Sequence, residues 1–79
     1  MQDINSTGRV IHALAALRDA DGDVAKAAAA KGISPDALLK ALAEGGANFY
    51  ATSDDGRIRP TETGLRFANQ VAAFPHVNW

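Results

Sequence analysis

Apolar positions near the start of the chain fall at Val10, Ile11, Leu14 and Leu17, a spacing that places one stripe along one side of a helix. The pattern predicts a helix from about Thr7 to Ala20, with Asn5, Ser6 or Thr7 as its cap. His12 lies off the stripe, so it is expected to face solvent with no special role. Two shorter helices follow the linker Asp21-Gly22, between about residues 22 and 44. Asp23 can cap the first, which carries the run Ala27, Ala28, Ala29 and Ala30. Gly32 can adopt the left-handed conformation that ends a helix without steric cost, and Ile33 can plug the corner. Ser34 then caps the second helix, with Pro35 at the first position, where a missing N–H costs nothing. So short a turn forces the two helices to cross steeply, and alanines permit the close approach. The unit reads as a helix-turn-helix.

Beyond Gly45-Gly46 the period changes. Residues from about 48 to 60 are expected to form a hairpin, or wing, centred on Asp55-Gly56, a favoured two-residue turn pair. That register sets Asp54 opposite Arg57 and Thr52 opposite Arg59. Alternation then puts Phe49, Ala51 and Ile58 on the core face, and Tyr50, Thr52, Arg57 and Arg59 on the outer face. Thr61 can cap a last helix spanning about 61–74, with Leu65, Ala68, Val71 and Ala72 at helical spacing and Pro75 ending it. Trp79 is expected to plug against the body or to meet a partner. The predicted core is Val10, Leu14, Leu17, Val24, Leu38, Leu42, Phe49, Ile58, Leu65 and Val71. The expected fold is mainly α: a winged helix-turn-helix with a three-helix core, a two-stranded wing and a C-terminal helix, forming a single domain over residues 1–79.

Length and composition narrow the function. With 79 residues there is no room for a second core. The chain has no cysteine, which excludes disulfides and thiolate metal sites and accords with a reducing cytoplasm. Its two histidines, His12 and His76, stand far apart without ligand spacing, so no metal or cofactor is expected. There is no apolar run near the roughly 20 residues a membrane helix needs, nor the basic-then-apolar pattern of a signal peptide. The expectation is a cytoplasmic domain without membrane contact. Ser6, Ser34 and Ser53 each read as a cap or turn residue, and Asp54-Asp55 as a turn pair. A chain this small seldom encloses a catalytic pocket, so no enzymatic activity is expected.

The order of helix, helix-turn-helix, hairpin, Thr-x-x-Gly and helix resembles the N-terminal winged domain of LysR-type transcription regulators. That family's pattern AA-x-x-L-x-[IV]-S-x-x-[AT]-[VL]-S-x-x-[IL], with LT-x-x-G after the wing, is matched by Ala28-Ala29, Ile33-Ser34, Ala37-Leu38, Leu42 and Thr61-x-x-Gly64. The resemblance spans most of the chain. It implies a DNA-binding transcription regulator, here lacking the effector domain. The chain departs from the pattern at Pro35, where the family carries a polar residue, at Leu39, which replaces the second serine, at Ala41, where glutamine or arginine is usual, and at Pro60, which replaces leucine. The frame of the family is therefore present, while much of its base-reading surface is replaced.

Candidate DNA contacts are Lys31, Ser34, Asp36, Leu39, Lys40, Arg57 and Arg59. Lys40 can reach a phosphate or a guanine edge. Asp36 also suits the helix dipole at its N-terminus, and Ser34 can cap the helix and touch a phosphate. Lys31, Arg57 and Arg59 would anchor phosphates, although Arg57 can instead pair with Asp54. The net charge of −1 supplies no strong electrostatic footprint: Lys26, Lys31 and Lys40 are balanced by Asp23, Asp36 and Glu44, and the wing arginines by Asp54 and Asp55. The competing expectation is a winged protein-interaction module without significant DNA affinity, favoured by this neutrality and by apolar Pro35, Leu39 and Ala41. A homodimer through the C-terminal helix is also expected. Because Pro75 cuts that helix short, its interface would need Phe67, Phe74 or Trp79.

Overall fold

Alanines let one helix be wrapped by all the others. The computed structural model describes residues 4–79, and its first helix, α1 (Ile4–Asp19), buries Val10, Ile11, Ala13, Leu14, Ala15, Ala16 and Leu17. Small side chains at Ala13, Ala15 and Ala16 leave room for neighbours on faces that an amphipathic helix would give to water. The chain is mainly helical: α2 (Val24–Lys31), α3 (Pro35–Gly45), a 3₁₀ turn (Ala47–Phe49), strands β1 (Tyr50–Thr52) and β2 (Ile58–Pro60), α4 (Glu62–Ala68) and a second 3₁₀ turn (Asn69–Ala73). The helices α2, α3 and α4 and the strand β2 all pack on α1. Because α1 is already helical at Ile4, Asn5, Ser6 and Thr7 lie inside it and none is its cap.

The turn between α2 and α3 follows the local chemistry of its residues. The Asp23 side chain accepts from the Lys26 N–H, opening α2. At the other end Gly32 has φ 69°, its N–H donates to Ala29, and the Ile33 N–H donates to Ala28 O at 3.1 Å. These are the two bonds that close a helix through a left-handed glycine. Ser34 Oγ accepts from the Ala37 N–H at 3.1 Å and Pro35 takes the first position of α3. Ile33 is half-buried against the core.

The hairpin is one residue out of the predicted register. Its strands pair antiparallel with Tyr50 opposite Pro60, Ala51 opposite Arg59 and Thr52 opposite Ile58. The loop therefore has three residues, not two. The Gly56 N–H donates to Ser53 O at 3.0 Å, Gly56 has φ 82°, and the Ser53 N–H donates to Arg57 O at 2.9 Å. A turn followed by a left-handed glycine is the usual three-residue hairpin connection. Side chains favour it: Asp55 accepts from the Ser53 hydroxyl and from the Arg57 N–H. Ile58 still points inward, but the β1 residue packed against the core is Tyr50, expected on the outer face, while Ala51 is exposed.

The last helix is shorter than its apolar spacing suggests and is rotated about its axis. It becomes a 3₁₀ turn at Asn69, and its buried residues are Gly64 and Ala68. Thr61 caps it by accepting from the Gly64 N–H, and donates to Asn48 O at 2.7 Å. Gly64 lies so close to the Phe49 carbonyl that a Cβ there would sit 1.9 Å from the oxygen. This contact turns the small residues inward and leaves Leu65, expected in the core, 39 % exposed. Phe67 stacks on Phe49 with ring centroids 5.0 Å apart. Of the other predicted core residues, Val10, Leu14, Leu17, Leu38 and Leu42 are buried; Val24, Phe49, Ile58 and Val71 are half-buried against them.

Candidate nucleic-acid interface

Helix α3 divides its residues sharply between core and solvent. Leu38, Ala41 and Leu42 are buried, while Asp36, Leu39, Lys40 and Ala43 face outward. Ala41 therefore belongs to the core, and its small side chain is a packing choice instead of a lost base contact. Leu39 is 40 % exposed, an apolar side chain in the middle of the outward face. Ser34 is exposed, with its oxygen engaged as the helix cap. Lys40 borders a shallow cleft between α1 and α3, shared with Arg9, Ala37, Glu44 and Trp79. The tail reaches this cleft because Asn78 exchanges two hydrogen bonds with the Asn5 side chain, and Asn78 O also accepts from Arg9. Arg9 in turn pairs with Glu44 at 3.3 Å.

Lys31 stands apart from this face. Its ammonium donates to His12 Nδ1 at 3.1 Å, and His12 Nε2 meets the Phe74 carbonyl. His12, expected in solvent, thus joins α1 to the end of α2 and to the tail. In this arrangement Nδ1 is the acceptor for the lysine and Nε2 the donor to the carbonyl.

Both hairpin arginines are engaged by acids of the chain itself. The expected partner of Arg57, Asp54, is replaced by Asp55 and by Asp21, which enters from the loop between α1 and α2. Arg57 Nη1 donates to the Asp21 carbonyl at 2.9 Å and lies 3.8 Å from its carboxylate. Arg59 Nε is 3.3 Å from Asp21 Oδ1, and both arginines approach Asp55 within 4 Å. The backbone holds this loop in place, since the Ile58 N–H donates to Gly22 O at 3.0 Å. Hydrogen bonds from the Ser53 hydroxyl and the Arg57 N–H, aided by the two guanidinium charges, hold the Asp55 carboxyl below its ordinary pKa, so it is ionised at neutral pH. Among the described residues, Lys26 and Lys40 are the cations whose side chains make no ion pair or hydrogen bond to another described residue. Also among them, no three His, Cys, Asp or Glu side chains converge to hold a metal ion, and no helix is long and apolar enough to cross a membrane.

The predicted contacts thus fall in three places. Asp36, Leu39 and Lys40, with Ser34 at its start, share α3; Arg57 and Arg59 share the hairpin; Lys31 sits with His12. Sequence spacing could not reveal Asp21, which meets arginines more than thirty positions away through a loop held at φ 52°. No family model, curated protein or solved structure matches the chain.

Proposed function

We propose that the chain folds as a winged helix-turn-helix domain, binds double-stranded DNA and acts in transcription regulation in the manner of the LysR-type domain it resembles. The observation that carries the reading is α3: a capped helix following a tight turn, anchored by Leu38, Ala41 and Leu42, with Asp36, Leu39 and Lys40 open to solvent. A helix so presented can enter the major groove, with Lys40 reaching a phosphate or a guanine edge. The hairpin is the wing, whose Arg57 and Arg59 would meet phosphates. Lys31, bound to His12, is a weaker anchor than its position in the sequence suggests.

Phosphate contacts position a protein without reading sequence. In a chain whose Asp21 and Asp55 are replaced by asparagine, so that both arginines lose their acidic partners, replacing Arg57 and Arg59 together by alanine should weaken binding to all duplexes alike and flatten the log–log salt dependence by roughly two units. An unchanged slope, measured by fluorescence anisotropy with a random duplex, would take the wing out of the interface. The second reading, a protein-interaction module, is favoured by exposed Leu39 and by arginines already neutralised within the chain. It takes over if the wild type shows no salt-sensitive affinity for duplex DNA.

The proposal includes pairing of two copies through α4, which would present two α3 helices to adjacent half-sites. Phe67 and Phe74 are half-buried within the protomer, Phe67 stacked on Phe49, so the apolar contact would come from exposed Leu65. Sedimentation at micromolar concentration should give a species of twice the 8.2 kDa chain mass. A single 8.2 kDa species removes the dimer.

A further inference from the structure

Arg57 and Arg59 are the cations of the hairpin, yet acidic side chains of the chain itself already pair with both. Asp21 receives both guanidinium groups, one through its carbonyl and one through its carboxylate. Asp55 closes the other side and is fixed by the Ser53 hydroxyl, which also accepts from Arg59 Nη1 at 3.1 Å. Asp21 reaches this place with a positive φ, a conformation that is uncommon outside glycine and in which aspartate and asparagine are enriched. Its side chain is 80 % exposed, so moving it aside disturbs little packing.

We infer that Asp21 and Asp55 act as an intramolecular stand-in for nucleic-acid phosphate, masking the wing arginines and setting the affinity of the domain for DNA. The inference rests on the DNA-binding reading above. A phosphate approaching the wing must either displace the two carboxylates or accept their repulsion, so the arginines add little net attraction while the mask is in place. Freeing them restores two phosphate contacts on one face, next to the start of α2, where Gly22, Asp23 and Ala25 border a cleft with Asp55, Gly56 and Arg57.

The test is Asp21→Asn combined with Asp55→Asn, titrated against a random 20-base-pair duplex over a range of salt concentrations. Asparagine tolerates the left-handed conformation at position 21 and can keep the acceptor for the Ser53 hydroxyl and the Arg57 N–H at position 55. Asp19→Asn with Glu62→Gln is the charge-matched control: it releases Arg18 and Arg66, whose ion pairs involve neither Asp21 nor Asp55. The masked-wing account expects the Asp21/Asp55 variant to bind about tenfold tighter than wild type at low salt, with a slope steeper by one to two units. It expects the control to change much less, and Arg59→Ala in the unmasked background to remove most of the gain. Equal gains in the two variants would overturn the inference and leave DNA binding standing, because charge alone would then explain the change. Wild-type binding unaltered by either variant would overturn it as well. Absence of binding by all three proteins would end both the inference and the DNA reading.

Discussion

Gly64→Ala should unfold the chain or destabilise it by about 3 kcal/mol or more, the upper range for forcing extra volume into a packed site. Helix propensity argues the other way: in an open helical position the substitution would stabilise by up to about 1 kcal/mol. Here the added methyl would lie 1.9 Å from the Phe49 oxygen and 2.9 Å from its carbonyl carbon. Both atoms are backbone, so no side chain can swing aside, and α4 must lift from the turn before β1. That movement would also strain the Thr61 cap and the Phe49–Phe67 stack. The exposed neighbour Thr63→Ala is the control, expected within about 0.5 kcal/mol of wild type. Chemical denaturation followed by circular dichroism measures both; a Gly64→Ala midpoint at or above wild type would show that the helix and the turn do not touch.

Leu38→Ala carries the next largest effect, an expected loss of about 2–5 kcal/mol. Leu38 is fully buried and fixes α3 to the core shared with α1 and α2. A chain of this size has a total stability of roughly 4–12 kcal/mol, so such a loss is a large part of the whole. The outward neighbour Leu39→Ala should leave the midpoint nearly unchanged, because Leu39 is 40 % exposed. Similar midpoints for the two variants would mean that α3 is turned differently.

The contrast between these neighbours shows what the sequence makes legible. Asp23, Gly32, Ser34 and Thr61 act over three or four residues, and each caps or ends its helix as its type and position predict. The inward stripe of α3 is equally plain. The hairpin register was harder, since Asp55-Gly56 fits a two-residue or a three-residue loop, and the choice falls to the Ser53 and Asp55 side chains. Leu65 misleads because the approach of Gly64 to Phe49 overrides apolar spacing. His12 looked idle for a similar reason: its partners, Lys31 and Phe74, are distant in sequence. The candidate site was half legible. The outward placement of Asp36, Leu39 and Lys40 on α3 follows from helical period, whereas the neutralisation of Arg57 and Arg59 depends on Asp21, which only the fold brings to them.

On the proposed DNA-binding reading, the pairing of Asp21 and Asp55 with the hairpin arginines would make affinity for DNA a balance between two intramolecular acids and the phosphates they resemble. This places the expected wild-type binding at the weak, salt-sensitive end, with Lys40 on α3 the unpaired cation of the proposed groove face. Titration of the wild-type chain with a random duplex, from low to physiological ionic strength, tests that account most directly. It predicts measurable affinity at low salt that falls linearly on a log–log plot as salt rises. No detectable, salt-sensitive binding by the wild type at low ionic strength would contradict it.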